Sequence, residues 1–411
     1  MRIRVVRDCI GVLAALLSAA FCTAAAQPAA WPPGETAMLR AGTDDYQGKL
    51  AEYTAARQAY EEAATRYWDA IADKRRARNA KRRNNEEIGL DDYVLTQPPV
   101  YSGPRRPVDP SAPVEATPPL RRPDAAPARR KYVPVVADFL RSAEEHFGFV
   151  PRRPASEIEF KRAYAEIAAA AGLTRDQVVH IYAFETGGNG RYDAQAGLEY
   201  DRPGARAIHT ALGYNQVVGA SSIGLLAEKG DRFVETVRAK AAASSGETRH
   251  ELDDKIAVLE RMIAFTRTVP DEWREHLKLA ETPRGLAIHA LLLDLDVGPL
   301  LQAQKLVDSV EYARRHGCAR TLTATELGMM NLTGDGNGLD MVLMPASLRE
   351  KVPTANFFVR AGYERNPVAS RHKVVAKLFA ATDAKMAAEI RSPGARDMAA
   401  AFESVARAGS P

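Results

Sequence analysis

Cysteine is scarce in this sequence of 411 residues. It has three cysteines, and two of them, Cys9 and Cys22, fall in the first stretch of the chain. If that stretch is removed, Cys318 remains alone, which excludes an intrachain disulfide and a zinc site built from cysteines. The eight histidines form no H-E-x-x-H pattern or comparable pair. We therefore expect no metal ion and no organic cofactor.

Neither sign of charge dominates the chain. The 56 lysines and arginines stand against 52 aspartates and glutamates, and the formal net charge is +4. A balance of this kind does not direct the whole chain toward nucleic acid or another polyanion. Hydrophobic residues make up 46% and charged residues 26%, which is typical of a soluble globular protein and excludes a wholly disordered one. At about 150 residues per domain, the length predicts two to three units.

The first 26 residues have the features of a secretory signal peptide. Arginines precede an apolar run over residues 9–22, and an A-x-A-like cleavage site follows, with cleavage expected after Ala26. The run is shorter than the roughly 20 residues of a spanning helix, so no stable membrane span is expected after cleavage. Lipidation of Cys22 is the alternative, although Phe21 stands where a lipoprotein signal has a small residue. The expected location is periplasmic or secreted.

Residues 27–96 are predicted to form a helical arm with a basic end. Aromatic and apolar residues recur at three- and four-residue steps from Tyr46 to Ile71, which predicts one long polar helix over residues 44 to about 88. Residues 74–83 hold seven basic residues in ten positions. Three interpretations stay open: a solvated arm, which is favoured, a helix that binds an envelope protein or a second copy, and a polyanion site. The signal peptide argues against nucleic acid.

A Pro-rich segment separates the arm from the rest of the chain. Residues 97–134 contain 11 of the 25 prolines, which predicts a semi-extended linker. Residues 135–391 are rich in alanine and in helical periodicity, and they are expected to fold as one helical domain. Residues 392–411 are expected to be a flexible tail. The predicted fold class is mainly α.

One predicted helix carries a carboxylate at its end. Thr174 and Gln177 match the capping-box pattern at its start, and an apolar stripe that begins at Val178 reaches Glu185 at position i+7. The following Gly187 ends the helix. Partial burial and the negative end of the helix dipole both raise the pKa of a carboxyl group at that place. A protonated carboxyl is what a general acid needs in order to cleave a glycosidic bond, whereas the plainer interpretation is a solvated helix end.

Three short segments resemble those of a known group of enzymes. Residues 184–190, F-E-T-G-G-N-G, resemble the catalytic E-S-x-G-x segment of soluble lytic transglycosylases and related lysozyme-like enzymes. Residues 211–216, A-L-G-Y-N-Q, are similar to the A-x-G-x-x-Q segment of the same superfamily. Residues 329–334, M-M-N-L-T-G, resemble its A-Y-N-x-G segment, with Met330 in place of the aromatic residue.

The resemblance implies a lysozyme-like helical domain that acts on peptidoglycan glycan strands. The bond cleaved would be the β-1,4 bond between N-acetylmuramic acid and N-acetylglucosamine, with Glu185 as general acid and base. Asn331 would contact the substrate, and Gln216 would lie in the saccharide cleft. Tyr214 and Asn215 could supply the flat aromatic face and the fixed amide that a cleft for N-acetylated sugars needs.

Several alternatives remain at the level of the sequence. Lytic transglycosylation is preferred over hydrolysis, because hydrolysis requires a second carboxylate or a positioned water opposite Glu185. The candidates for such a carboxylate are Asp193, Glu199 and Asp201. A noncatalytic protein that binds the cell wall, or an envelope scaffold whose function resides in the arm, would retain the lysozyme-like domain without turnover.

Overall fold

The protein is mainly helical, which confirms the expected fold class at that level. The computed structural model describes residues 33–84, 86–109, 132–198 and 206–408. Within these ranges the chain forms sixteen α-helices, three short 3₁₀ turns and isolated β-bridges, but no strand. The helices are α1 (Pro33–Arg83), α2 (Val136–Phe147), α3 (Glu157–Ala170), α4 (Arg175–Thr186), α5 (Gly219–Ala242), α6 (Gly246–Thr266), α7 (Trp273–Ala280), α8 (Pro283–His289), α9 (Gly298–Arg315), α10 (Ala324–Thr333), α11 (Asp335–Leu343), α12 (Ala346–Arg349), α13 (Arg360–Arg365), α14 (Pro367–Arg371), α15 (Val375–Glu389) and α16 (Pro393–Ala408).

The chain divides into two compact units. Among the described residues, the smaller unit holds residues 33–58 and 102–109, and the larger one holds residues 59–101 and 132–408. The described part of the smaller unit consists of the first half of α1 and a short non-helical segment. All the residues discussed below as a candidate site belong to the larger unit.

Helix α4 lies in the main hydrophobic core of the larger unit. Its apolar stripe is buried, as the sequence predicts. The predicted capping box is also confirmed: Gln177 N donates to Thr174 Oγ1 over 3.2 Å, and Thr174 N donates to Gln177 Oε1 over 2.9 Å. Gly187 ends the helix in the left-handed conformation, with φ of 65°. Helix α4 is therefore fixed at both ends and along one face.

The C-terminal segment differs from the flexible tail expected from the sequence. Residues 393–408 form helix α16, which packs along α3 and α4. Its inward face carries Ala395, Met398 and Ala401, all buried in the main core. Alternation of small and large apolar side chains lets α16 approach its neighbours closely, and the area it buries stabilises the helix. This segment is part of the domain.

The second half of α1 also differs from the solvated arm expected from the sequence. The helix ends at Arg83, earlier than predicted, and its residues 59–83 lie in the larger unit. Trp68 packs on a second hydrophobic cluster, whose buried members include Tyr93 and Phe357. Arg78 is fully buried. The sequence predicts that these residues belong to an arm separate from the domain, whereas they complete its second core.

Most of the basic residues at the end of α1 have partners within the chain. Arg75 Nη2 donates to the carbonyl oxygen of Phe358 over 2.7 Å, and Lys81 Nζ lies 2.8 Å from Asp92 Oδ2. Six of the seven make such contacts: Lys74, Arg75, Arg76, Arg78, Lys81 and Arg82. Most of these side chains are thus held against the chain, whereas Arg76 and Arg83 remain exposed.

Some expectations fall on residues that are not described. The predicted signal peptide, residues 1–26, lies outside the described residues, as do residues 110–131 of the Pro-rich segment. Within the described part of the chain, no single helix has both the length and the apolarity of a membrane span, although the bent pair Pro283–Leu293 and Gly298–Arg315 meets the same criteria together.

Candidate active site

Glu185 occupies the last turn of α4, where the sequence predicts it. Its side chain is only partly exposed, and the helix ends two residues later at Gly187. Because the last carbonyl groups of an α-helix carry partial negative charge, this position disfavours the ionised form of a carboxyl group. The apolar stripe of α4 below it removes further water.

Asn331 meets Glu185 across the site. It lies on α10, whose start is fixed by a capping box between Thr323 and Glu326. Asn331 Nδ2 lies 2.9 Å from Oε1 of Glu185 and 3.4 Å from the carbonyl oxygen of Asn215. The structure thus brings together residues from all three of the segments singled out in the sequence.

The electrostatics of the site raise the pKa of the Glu185 carboxyl group to near neutral pH. Burial raises the pKa of Glu185 from 4.5 to about 7, although the Asn331 hydrogen bond and the positive charge of Lys385 both act to lower it. Burial outweighs the other two effects. At pH 7, about half of the molecules therefore carry the proton that a general acid donates.

The loop that carries Gln216 is tight and strained. Leu212 and Val217 exchange two backbone hydrogen bonds of 3.0 Å each and so close the loop. Gln216 has a φ of 45°, in the left-handed region that side chains rarely adopt. Its Nε2 donates to the carbonyl oxygens of Ala194 and Gly213 over 3.1 and 2.9 Å. Such strain is typical of functional loops and costs about 1–3 kcal/mol.

Two of the expected saccharide contacts are wrong. Tyr214 and Asn215 are almost completely buried, with 0% and 1% of their surface exposed. The ring of Tyr214 packs edge-on against three other aromatic rings, and its hydroxyl donates to Glu157. Asn215 Nδ2 donates to the hydroxyl of Tyr164 and to the carbonyl oxygen of Gln302, over 2.9 and 2.8 Å. Both side chains fix the loop from below and so hold Gln216 and the carbonyl group that Asn331 contacts.

The segment that follows Glu185 is held by the C-terminal helices. Gly188 has a φ of 75°, and a Cβ atom there would overlap the carbonyl oxygen of Glu389 at the end of α15. Asn189 Oδ1 accepts a hydrogen bond of 3.1 Å from the backbone N–H of Gly394 at the start of α16. Tyr182 donates to the carbonyl oxygen of Gly190 over 2.8 Å. Close approach of backbone to backbone explains the glycine at position 188.

The structure adds two charged residues that the sequence did not single out. Lys385, on α15, lies 3.3 Å from the carbonyl oxygen of Phe184 and 4.5 Å from the centre of its ring. Glu157 accepts hydrogen bonds from Tyr214 and from the backbone N–H of Tyr192, and burial raises its pKa. Neither residue could be recognised as functional from the sequence. A single lysine on a helix and a glutamate in a first helical turn are common in helical proteins.

The candidates for a second carboxylate do not face Glu185 in any observed contact. Asp193 is buried and forms ion pairs with Arg153 and Arg191, at 2.6 and 3.1 Å. Its carboxylate oxygens are occupied by these two guanidinium groups. Glu199 and Asp201 lie outside the described residues.

A buried serine and histidine are hydrogen-bonded but are not arranged as a nucleophile. Ser222 Oγ lies 2.9 Å from Nδ1 of His289, and Nε2 of His289 lies 2.7 Å from the carbonyl oxygen of Thr210. Since the carbonyl can only accept, Nε2 carries the proton and Nδ1 accepts from the hydroxyl. Ser222 is completely buried, so this pair ties α5 to α8.

A cavity of about 270 Å³ lies away from the predicted site. It is lined by Ser156 and residues of α3 together with Arg152, Lys240 and Leu295, and none of the predicted site residues contributes to it. Among the described residues, no group of three or more histidine, cysteine, aspartate or glutamate side chains could hold a metal ion. Comparison of the chain with protein-family models, curated proteins and solved structures returns no match.

Proposed function

We propose that the protein cleaves the β-1,4 glycosidic bond between N-acetylmuramic acid and N-acetylglucosamine in peptidoglycan by nonhydrolytic lytic transglycosylation. The observation that carries the proposal is the pair formed by Glu185 and Asn331, with a hydrogen bond of 2.9 Å and a pKa of about 7 for the carboxyl group. A glutamic acid that keeps its proton near neutral pH, and that still has partial access to solvent, is equipped for general acid catalysis.

The reaction proceeds in two proton transfers through one residue. Protonated Glu185 donates its proton to the glycosidic oxygen as the bond from C1 of the muramoyl sugar to that oxygen breaks. The resulting carboxylate then accepts the proton of the muramoyl 6-hydroxyl, and the 6-oxygen forms a bond to C1. The products are a 1,6-anhydromuramoyl end and a free 4-hydroxyl on the leaving sugar. Glu185 ends in its protonated form, and no water is consumed.

Asn331 supports the first proton transfer. Its amide donates to the carboxylate formed after the first transfer and stabilises that form. Gln216, held in a strained loop, is the further amide proposed to contact an N-acetylated sugar. Hydrolysis needs a second carboxylate or a positioned water. The ion pairs that occupy Asp193, one of the three candidates for that carboxylate, support the preference for transglycosylation.

The predicted signal peptide belongs to the same proposal. Peptidoglycan lies outside the cytoplasmic membrane, and an enzyme that acts on it must be exported. Export through residues 1–26 would deliver the protein to the periplasm or the medium.

One observation favours a second candidate, a noncatalytic protein that binds the cell wall or organises the envelope. Tyr214 and Asn215 are buried, so the side chains proposed to contact sugar are reduced to Gln216 and Asn331. A protein with few such contacts could bind glycan strands without distorting them toward a transition state.

Product analysis separates these functions. Purified peptidoglycan is digested with the protein, with the Glu185→Gln variant, and with Glu166→Gln, which changes an exposed glutamate on α3, as the matched control. Mass spectrometry distinguishes anhydro ends from reducing ends. We expect anhydro products from the wild type and the control, and none from Glu185→Gln. Reducing ends would instead indicate a muramidase, and binding to sacculi without any product would indicate the noncatalytic function.

A further inference from the structure

Two arginines at the end of α1 converge on one buried aspartate. Arg78 Nε lies 3.2 Å from Oδ2 of Asp340, and Arg82 forms an ion pair with the other carboxylate oxygen. The guanidinium group of Arg78 also lies 4.5 Å from the centre of the Tyr93 ring and donates to the carbonyl oxygen of Asn356 over 3.2 Å. The side chain of Asp340 is 3% exposed.

This cluster couples the position of α1 to that of α11. Buried charges are stable only with their partners in place, so loss of the Asp340 carboxylate leaves two guanidinium groups without their acid. The reverse also holds, because removal of α1 leaves the buried carboxylate of Asp340 without a positively charged partner. The buried ion pairs therefore form only when α1 and α11 are packed together.

Helix α11 in turn fixes α10 beside Asn331. A Cβ atom at Gly338 on α11 would lie 2.7 Å from the backbone nitrogen of Met330, the residue before Asn331. Asn337 Nδ2 donates to the carbonyl oxygen of Thr333 over 3.1 Å. The approach at Gly338 transmits displacement directly, because no flexible side chain lies between the two backbones there to absorb it.

We propose that Asp340, held by Arg78 and Arg82 of α1, is a positioning residue that keeps Asn331 in hydrogen-bonding contact with Glu185. This inference rests on the proposed function for its effect on turnover. The second half of α1 is then part of the support of the active site, and the basic residues at positions 78 and 82 serve that support.

The first experiment replaces the carboxylate while keeping its size. Asp340→Asn is compared with Asp73→Asn, which changes an exposed aspartate on α1 that pairs with Arg76. The titration of Glu185 is followed by carbon-13 NMR of labelled glutamate, and kcat and KM are measured by release of anhydro ends. We expect the pKa of Glu185 to rise in Asp340→Asn and kcat to fall by about tenfold or more with little change in KM. Asp73→Asn should match the wild type in every measurement.

A second pair of variants carries the test if Asp340→Asn does not fold. Gly338→Ala forces α11 away from α10, whereas Gly336→Ala on the same helix meets only Tyr312 at 3.4 Å and Arg82 at 3.7 Å. The expected result is again a raised pKa and a lower kcat for Gly338→Ala alone. A folded Asp340→Asn or Gly338→Ala protein with wild-type titration of Glu185 overturns the inference. If the wild type yields no product but the titration still shifts in the variants, the proposed function fails and the positioning role stands.

Discussion

The side-chain amide of Asn331 donates a hydrogen bond of 2.9 Å to the carboxyl group of Glu185, across 146 residues of sequence. The amide stabilises the ionised carboxylate, while the surrounding protein stabilises the neutral acid. These opposing effects leave the pKa of Glu185 at about 7, near the pH at which one group can both donate and accept a proton.

Removal of the Asn331 amide is expected to raise the pKa of Glu185. In Asn331→Leu, the hydrogen bond that favours the carboxylate is lost and burial remains. The alkaline limb of the pH–kcat profile should move to higher pH, and kcat should fall by about tenfold or more because the carboxylate that follows the first proton transfer is less stable. Release of anhydro ends between pH 5 and pH 9 measures both effects.

The control for that variant is Asn84→Leu, which replaces an exposed asparagine at the end of α1. It should leave the profile unchanged. An alkaline limb that stays in place in Asn331→Leu would contradict the assignment of Asn331 as the partner of Glu185.

The stability of the protein is expected to depend on Glu185 between pH 4.5 and pH 7. The pKa of Glu185 is raised from 4.5 to about 7 in the folded state, so over this range the folded state binds a proton that the unfolded state releases. The stability that this proton confers is complete below pH 4.5 and is lost as pH rises through 7. Glu185→Gln cannot lose a proton. Its stability relative to the wild type should therefore increase by ~3 kcal/mol between pH 4.5 and pH 8.

Urea denaturation at the two pH values tests this expectation without any need for activity. Glu166→Gln is the matched control, and its difference from the wild type should be the same at both pH values. An equal difference at pH 4.5 and pH 8 for Glu185→Gln would mean that the carboxyl is ionised normally in the folded protein.

The loop after Glu185 should tolerate a methyl group at one glycine better than at the next. Gly187 and Gly188 both have positive φ, so Ala at either position introduces backbone strain of about 1 kcal/mol. At Gly187 nothing lies within 4 Å of the added atom, whereas at Gly188 it would overlap the carbonyl oxygen of Glu389. Gly188→Ala should be less stable than Gly187→Ala by about a further 1–3 kcal/mol.

Thermal denaturation of the two variants measures this difference, and the anhydro-end assay reports whether the displaced loop also lowers kcat. Equal stability of the two variants would show that the loop does not pack on the end of α15 in solution.

His289 is expected to destabilise the protein in mild acid. Burial lowers its pKa from 6.5 to about 4, so the unfolded state gains a proton between pH 6.5 and pH 4 while the folded state does not. Stability is therefore complete above pH 6.5 and falls as pH drops toward 4, by up to ~3 kcal/mol. The His289→Gln variant does not lose stability in this way. The free energy of unfolding of the wild type should therefore approach that of the variant as pH falls.

Guanidinium denaturation at pH 7 and pH 4.5 measures the gap in stability between variant and wild type. His250→Gln, at an exposed position on α6, is the control and should show no narrowing of this gap. A gap for His289→Gln that is constant with pH would contradict a neutral, buried imidazole.

The parts of the fold that could be predicted from the sequence are those with local signals. The capping box at Thr174 and the stripe that ends at Glu185 are short-range patterns, and both are present in the structure. Only the resemblance of their segments assigned Asn331 and Glu185 to one site, and their direct contact was not predicted, because nothing in spacing alone joins residues so far apart. The C-terminal helix did carry a signal, since Ala395 and Met398 face the core one turn apart, but its small residues resembled a flexible end.

The remainder depended on contacts that spacing does not encode. Arg78 is buried because it pairs with Asp340, which lies 262 residues later in the chain. A cluster of arginines whose acidic partner is that distant in the sequence is predicted to be exposed to solvent. The A-L-G-Y-N-Q segment predicts that Tyr214 faces a sugar, because a saccharide cleft needs a flat aromatic side chain. The burial of Tyr214 depends on aromatic side chains from α3 and α4 that close over it.

The Pro-rich segment joins two parts of one folded body. Residues 59–101 and residues 132–408 belong to the same unit, although the Pro-rich segment lies between them in the sequence. Its length sets the effective concentration at which the end of α1 finds its binding surface, whereas the buried contacts of Arg78 set how long it stays. A single proteolytic cut within residues 110–131 would therefore convert the protein into a two-chain complex, and dissociation of its smaller fragment would become dependent on dilution.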